Sequence, residues 1–181
     1  MLLTKLAVNF IIKIKKDLDK LNNLKNFKAN KFNSKTKNAI DPVTKLDLNV
    51  EKFLRLKIKK NFPNHSIIGE EYGNTIKKSD YTWIIDPIDG TKSLIMGLPT
   101  WSNLIGLYKN NKSILSFANF PILNKYYLAY GSKTFLYEKS FSKRIYSNKK
   151  VDFENAKISV NTFQKLKNKK IFNFFKNYKC F

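Results

Sequence analysis

The nine residues Trp83-Ile84-Ile85-Asp86-Pro87-Ile88-Asp89-Gly90-Thr91 restrict this chain more than any other stretch. Tyr81 to Ile85 is a strongly apolar run with the character of a buried strand. Such a strand delivers Asp86 rigidly to its end. Pro87 then fixes the backbone, the chain is expected to turn at Ile88, and Asp89 returns toward the same side. Gly90 lets another group approach the backbone closely. A lone Asp-Gly is explained by turn geometry alone. The full run, with two carboxylates spaced around a proline, points instead to a site.

The distribution of acids supports that reading. The chain has 181 residues and a formal net charge of +22, with only 13 acidic residues. Eight of them lie between positions 41 and 89: Asp41, Asp47, Glu51, Glu70, Glu71, Asp80, Asp86 and Asp89. A basic chain that gathers its acids in this way builds a local anionic site. Mg²⁺ suits it, since that ion takes hard oxygen donors at about 2.0–2.1 Å and keeps several waters. Two such ions about 3.5–4 Å apart can share one carboxylate. Asp86 and Asp89 fit that role, the N–H groups of Gly90 and Thr91 can donate to phosphate oxygens, and the Thr91 hydroxyl can serve a metal or a water. Glu70, in Gly69-Glu70-Glu71, supplies a third ligand, although alone it reads as an exposed acidic turn. Asp47 closes the run Asp41-Pro-Val-Thr-Lys-Leu-Asp47, which also reads as a helix start with Thr44 or Asp47 as cap.

Several function classes drop out. His65 is the only histidine and Cys180 the only cysteine, which argues against zinc sites, Ser-His triads and intrachain disulfides. A cytoplasmic location fits. The apolar run Leu6–Ile12 is too short to span a bilayer, so no membrane partner is expected. The lysines are spread over every segment, and Arg55 and Arg144 are the only arginines. Sequence-reading nucleic-acid surfaces lean on arginine, so no specific nucleic-acid partner is expected.

Apolar spacing predicts a helix over residues 2–25 and a second from Thr44 to Asn61, ended by Phe62-Pro63-Asn64. Residues 26–40 read as a loop or short strand, 66–68 as a strand, 72–80 as a polar loop, and 92–98 as a turn or one helical turn. Strands at 102–108, 113–120, 125–130 and 134–137 form an antiparallel meander. A strand at 156–160 and a helix at 162–178 close the chain. This order predicts a layered α+β fold with helices covering a sheet. The expected units are 1–152, carrying the site, and 153–181, the start of an incomplete α/β unit.

The motifs Asp41-x-Val-Thr-x-x-Asp47, Gly69-Glu70-Glu71 and Trp83-Ile-Ile-Asp86-Pro-Ile-Asp89-Gly90-Thr91 together resemble the inositol monophosphatase superfamily. The resemblance implies a helix/sheet sandwich of the sugar-phosphatase type and Mg²⁺-dependent hydrolysis of a small phosphorylated metabolite. It implies that Glu70, Asp86, the Ile88 carbonyl and Thr91 hold one Mg²⁺, and Asp86 and Asp89 a second. Asp47 and Thr91 would orient and activate the attacking water, with Glu70 also serving catalysis through a further, weaker Mg²⁺. Asp89, Gly90 and Thr91 would contact the substrate. The segments Gly90–Trp101 and Asn119–Lys125 resemble the histidinol-phosphatase branch, which implies a step of histidine biosynthesis, with inositol 1-phosphate as the alternative substrate.

One departure stands out. The superfamily carries a later Trp-Asp-x-Ala-type motif whose Asp binds the second metal, and no Asp or Glu follows Asn161 here. The chain is therefore expected to be a carboxyl-terminally truncated member, to be completed by another fragment, or to be an inactive metal- or phosphate-binding remnant. A homodimer or a complementing fragment is the expected macromolecular partner.

Overall fold

The computed structural model describes residues 2–24, 32–34, 42–139 and 141–148. The chain divides into two compact units, Met1–Ile145 and Tyr146–Phe181. Every element described here belongs to the first. The expected strand at 156–160, the helix at 162–178 and the unit 153–181 lie outside the described residues, as does Asp41.

Helix α1 spans Leu2–Leu21 and buries Ala7, Phe10, Ile11, Ile14 and Leu18, one apolar stripe at helical spacing. It ends short of residue 25. Asn22 leaves the helix and turns a buried side chain inward to exchange amide hydrogen bonds with Asn103, at 2.7 and 3.3 Å. Helix α2, Lys45–Asn61, starts on a capping box: the Thr44 hydroxyl accepts the Asp47 N–H, and the Asp47 carboxylate accepts the Thr44 N–H. Phe62 is buried beyond its end, and Pro63 cannot continue it. A short helix α3 covers Thr91–Ile95.

Strands β1 (Phe32–Ser34) and β2 (Pro42–Thr44) pair as a separate antiparallel ribbon. Among the described residues the main sheet has eight strands: β3 (Ser66–Gly69), β4 (Gly73–Thr75), β5 (Tyr81–Asp89), β6 (Ser102–Lys109), β7 (Lys112–Phe120), β8 (Lys125–Tyr130), β9 (Lys133–Glu138) and β10 (Phe141–Ile145). Their order is β10-β9-β8-β7-β6-β5-β3-β4, so the expected meander is present from β6 onward. Every neighbouring pair is antiparallel except β3 and β5, which run parallel. Helix α1 packs against β7 and α2 against β5, giving the layered α+β arrangement.

Three local expectations are corrected. Residues 72–80 are not all loop, because Gly73–Thr75 pairs antiparallel with β3. The meander gains a strand, β10, which the polar composition of Phe141–Ile145 concealed: its first four residues are exposed. The chain does not turn at Ile88. It stays in strand conformation through Asp89, and the ladder to β6 shifts register between Asp86 and Asp89. Asp86 pairs with Leu104 and Asp89 with Ser102, so Pro87 and Ile88 together face the single residue Asn103. This is a β-bulge, and it explains how an inner strand accommodates a proline that lacks an N–H. The Asn103 side chain compensates by donating to the Pro87 carbonyl at 2.7 Å.

The core runs between the helices and the sheet. Trp83 is fully buried, with Phe10 and Phe62 against it at ring distances of 5.5 and 5.2 Å. Its indole N–H donates to His65 Nδ1 at 3.1 Å, and His65 stacks between Phe62 and Tyr81. Among the described residues, no helix is long and apolar enough to cross a membrane.

Asn103 is the node of a buried amide network. Its carbonyl oxygen accepts from Asn22 and from Asn119, and Asn119 donates on to Asp19. Asn103→Leu keeps the volume but removes the partner of the buried Asn22 amide and of the Pro87 carbonyl, while Asn119 keeps its bond to Asp19. Each such group costs about 1–3 kcal/mol. The variant is expected to lose about 3 kcal/mol of unfolding free energy, read as a lower urea midpoint at unchanged slope.

Candidate metal centre

The parallel pairing of β3 with β5 creates the site. Gly69 lies opposite Ile85, so the next residues, Glu70 and Asp86, emerge side by side at the same end of two adjacent strands. Their side chains share a hydrogen bond. Among the described residues, Asp86 Oδ1 is buried and has no hydrogen-bond partner. Burial pushes the Asp86 carboxyl up to about 7, and the charges acting on it, Glu70, Asp89 and Asp47, are all negative and push the same way.

The bulge brings Asp89 into this group. Along a regular strand, residues three apart point to opposite faces. Here Pro87 and Ile88 are both buried, while Asp86 is half-buried and Asp89 exposed, so the extra residue has restored the two carboxylates to one side. Ser102 donates to Asp89 Oδ2 at 3.4 Å.

Asp47 arrives from the first turn of α2. Its Oδ2 is held by Thr44, whose N–H donates at 2.9 Å and whose hydroxyl also donates. Its Oδ1 accepts from the Thr91 hydroxyl at 3.1 Å. The capping role and the site role of Asp47 therefore coexist, one oxygen serving each. Burial raises the Asp47 carboxyl above its ordinary range, against the opposing effect of the hydrogen bonds from Thr44 and Thr91. Thr91 Oγ1 also lies 3.1 Å from the Ile88 carbonyl. One hydroxyl proton thus serves two acceptors, and the oxygen's lone pairs remain available. Gly90 adopts φ +88°, a left-handed conformation that a residue with Cβ rarely takes, and this aims Thr91 at Asp47.

Glu70, Asp86, Asp89, Asp47, Thr91 and the Ile88 carbonyl are linked in this way. Among the described residues, no group of three or more His, Cys, Asp or Glu side chains is placed to hold a metal ion. A cation here would also draw on the Ile88 carbonyl, the Thr91 hydroxyl and water. That donor set is all oxygen, and an orphaned, buried carboxylate oxygen among like charges is the environment a hard divalent ion relieves. His65 takes no part, since it sits in the aromatic cluster and burial lowers its pKa. Sequence reasoning missed Asn103 and Ser102, which hold the bulge and Asp89; their only signal was two polar residues at the head of an otherwise apolar strand.

Comparison with known proteins agrees with this geometry. The profile of the inositol monophosphatase family matches residues 3–180. The chain belongs to the inositol monophosphatase family. It is 42% identical over 97 residues to the chloroplastic bifunctional phosphatase IMPL2 of Arabidopsis thaliana, covering 52% of this chain and 28% of that protein. It is 40% identical over 88 residues to a histidinol-phosphatase of Chlorobaculum parvum, covering 49% of this chain and 34% of that protein. The chain thus spans about a third of the length of the curated relatives it matches. The solved structure of the Thermotoga maritima IMPase superposes with a TM-score of 0.69 at 29% identity, over 82% of this chain and 56% of that one. The fold is that of this family, a helix/sheet sandwich.

The raised Asp86 carboxyl predicts a pH signature for the metal-free protein. Its folded value of about 7 lies above the ordinary 3.8, so folding favours the protonated form. That contribution is complete below the unfolded value and is lost as pH rises through about 7. Asp86→Asn stays neutral throughout. In chelator, its melting temperature relative to the natural chain is expected to rise between pH 4 and pH 8. A difference that is flat with pH would remove the crowded-carboxylate account.

Proposed function

We propose that this chain carries the metal-binding half of a Mg²⁺-dependent phosphate-monoester hydrolase, with histidinol phosphate as the first substrate candidate. The observation that carries the proposal is the group of Glu70, Asp86, Asp89 and Asp47, with Asp86 Oδ1 buried, without a hydrogen-bond partner among the described residues, and surrounded by charges of its own sign. Glu70, Asp86, the Ile88 carbonyl and Thr91 would hold one Mg²⁺, and Asp86 with Asp89 a second. Bound Mg²⁺ would supply Lewis-acid stabilisation of the charge that develops on the phosphoryl oxygens.

The chain's own residues do the rest. Asp47 is fixed by Thr44 and coupled to the Thr91 hydroxyl, and its raised carboxyl suits it to accept a proton from water through Thr91. The N–H groups of Gly90 and Thr91 donate to phosphate oxygens, with Asp89 beside them for the substrate alcohol. Glu70 completes the acidic edge. The histidinol-phosphatase assignment draws on the Chlorobaculum relative and on the Gly90–Trp101 and Asn119–Lys125 segments. Inositol 1-phosphate is the alternative, drawing on the Thermotoga IMPase. A small phosphorylated metabolite is the proposed partner, without specific nucleic-acid or membrane binding, in the cytoplasm and as a homodimer or with a complementing fragment. Residues 153–181 are proposed to open a second α/β unit.

One observation favours a second reading. The match to the Chlorobaculum histidinol-phosphatase covers 34% of that protein, so the resemblance accounts for part of that enzyme and not the whole. Under that reading the chain binds metal or phosphate without turning over.

A panel of phosphate monoesters, assayed with Mg²⁺, separates the two readings. The hydrolase predicts saturable release of phosphate, fastest from histidinol phosphate, that falls to background in Asp86→Ala. Clean Mg²⁺ binding with no turnover on any ester would establish the binding-only protein instead.

A further inference from the structure

Helix α2 carries an ion pair whose position the fold alone does not explain. Glu51 is fully buried, and the Arg55 side chain one turn later is 9% exposed. Arg55 Nε donates to Glu51 Oε1 at 2.7 Å. Burying two charges costs several kcal/mol per ion, and apolar residues of similar volume often serve stability as well or better. The pair is nonetheless well engaged, and its other partners among the described residues lie on the turn after β3 and on strand β4.

That turn joins β3 to β4 and begins with Glu70. Glu51 Oε2 accepts the Glu71 N–H at 2.7 Å, and Oε1 accepts the Tyr72 N–H at 3.2 Å. Arg55 Nη2 donates to the Gly73 carbonyl, and Nη1 donates to the Thr75 hydroxyl at 3.2 Å. Positions 71, 72, 73 and 75 are thus all gripped from α2. Gly69, just before the turn, makes room for the grip: a Cβ there would overlap Glu51 Oε1 and Arg55 Nη2. Glu70 itself is exposed. The grip holds its backbone level with Asp86 on the neighbouring strand.

We propose that Glu51 and Arg55 are positioning residues that fix Glu70 beside Asp86 and so set the affinity of the metal centre. This rests on the metal reading of the site. It assigns no contact with metal or substrate to either residue, and it makes their effect on metal binding run through Glu70.

The test is a cycle read by Mn²⁺ binding calorimetry and thermal unfolding. Glu51→Met with Arg55→Met removes both charges together, so no ion is left buried alone, and the freed N–H groups of an exposed turn reach water. The double variant is expected to fold, and to bind Mn²⁺ about 10- to 100-fold more weakly, the usual cost of losing a group that orients a ligand. In a Glu70→Ala background the same pair of substitutions is expected to change affinity by less than about two-fold, because the group they orient is gone. Arg55→Lys keeps the counter-charge for Glu51 but loses the fork that reaches Gly73 and Thr75, and is expected to fall between; it also serves as the reporting variant if the double variant does not fold. Unchanged affinity in the folded variants overturns the proposal, as does an equal further loss in the Glu70→Ala background. A natural chain that binds no Mn²⁺ overturns the metal reading itself, and this inference with it.

Discussion

The bulge at Pro87-Ile88 is the constraint on which the site depends. Strand β5 lies inside the sheet, between β3 and β6, and its ladder must be satisfied. Pro87 offers no N–H, and two residues stand against Asn103 where one would be regular. The Asn103 amide donates to the Pro87 carbonyl, and Asn22 and Asn119 hold that amide from behind. The consequence is a change of parity. Asp86 and Asp89 share one side of the strand, with Glu70 delivered alongside by the parallel neighbour β3.

The gathering of charge has an electrostatic cost that the rest of the site reflects. Asp86 is raised to about 7 by burial and by Glu70, Asp89 and Asp47. Asp47 is raised as well, although Thr44 and Thr91 both donate to it. Among the described residues, hydrogen-bond donors at the margins offset this, such as Ser102 on Asp89, while Asp86 Oδ1 has no hydrogen-bond partner. A hard divalent ion would relieve such crowding, which is the physical property that the proposed metal reading rests on.

Much of this was legible in the residues. The apolar stripe of α1, the capped start of α2 at Thr44 and the meander from Ser102 all follow from spacing, and all are present. The acids expected to matter were Asp47, Glu70, Asp86 and Asp89, and each reaches the same locality. Less legible was β10, whose exposed residues lack the alternation of a half-buried strand. The Glu51–Arg55 grip left one trace: an arginine four residues after a glutamate on a helix, in a chain that otherwise uses lysine almost throughout.

The sequence by itself determined which chemistry was available: hard oxygen donors, one histidine, no intrachain disulfide, and a rigid apolar strand ending on a carboxylate. Only the tertiary structure decided which of those donors meet. Spacing along one chain cannot state that β3 pairs parallel with β5, since that register is fixed by contacts between segments 16 residues apart. Nor can it state that Asp86 and Asp89 share a face, because strand periodicity separates them and only a bulge braced by Asn103 of β6 and by Asn22, just beyond α1, reunites them.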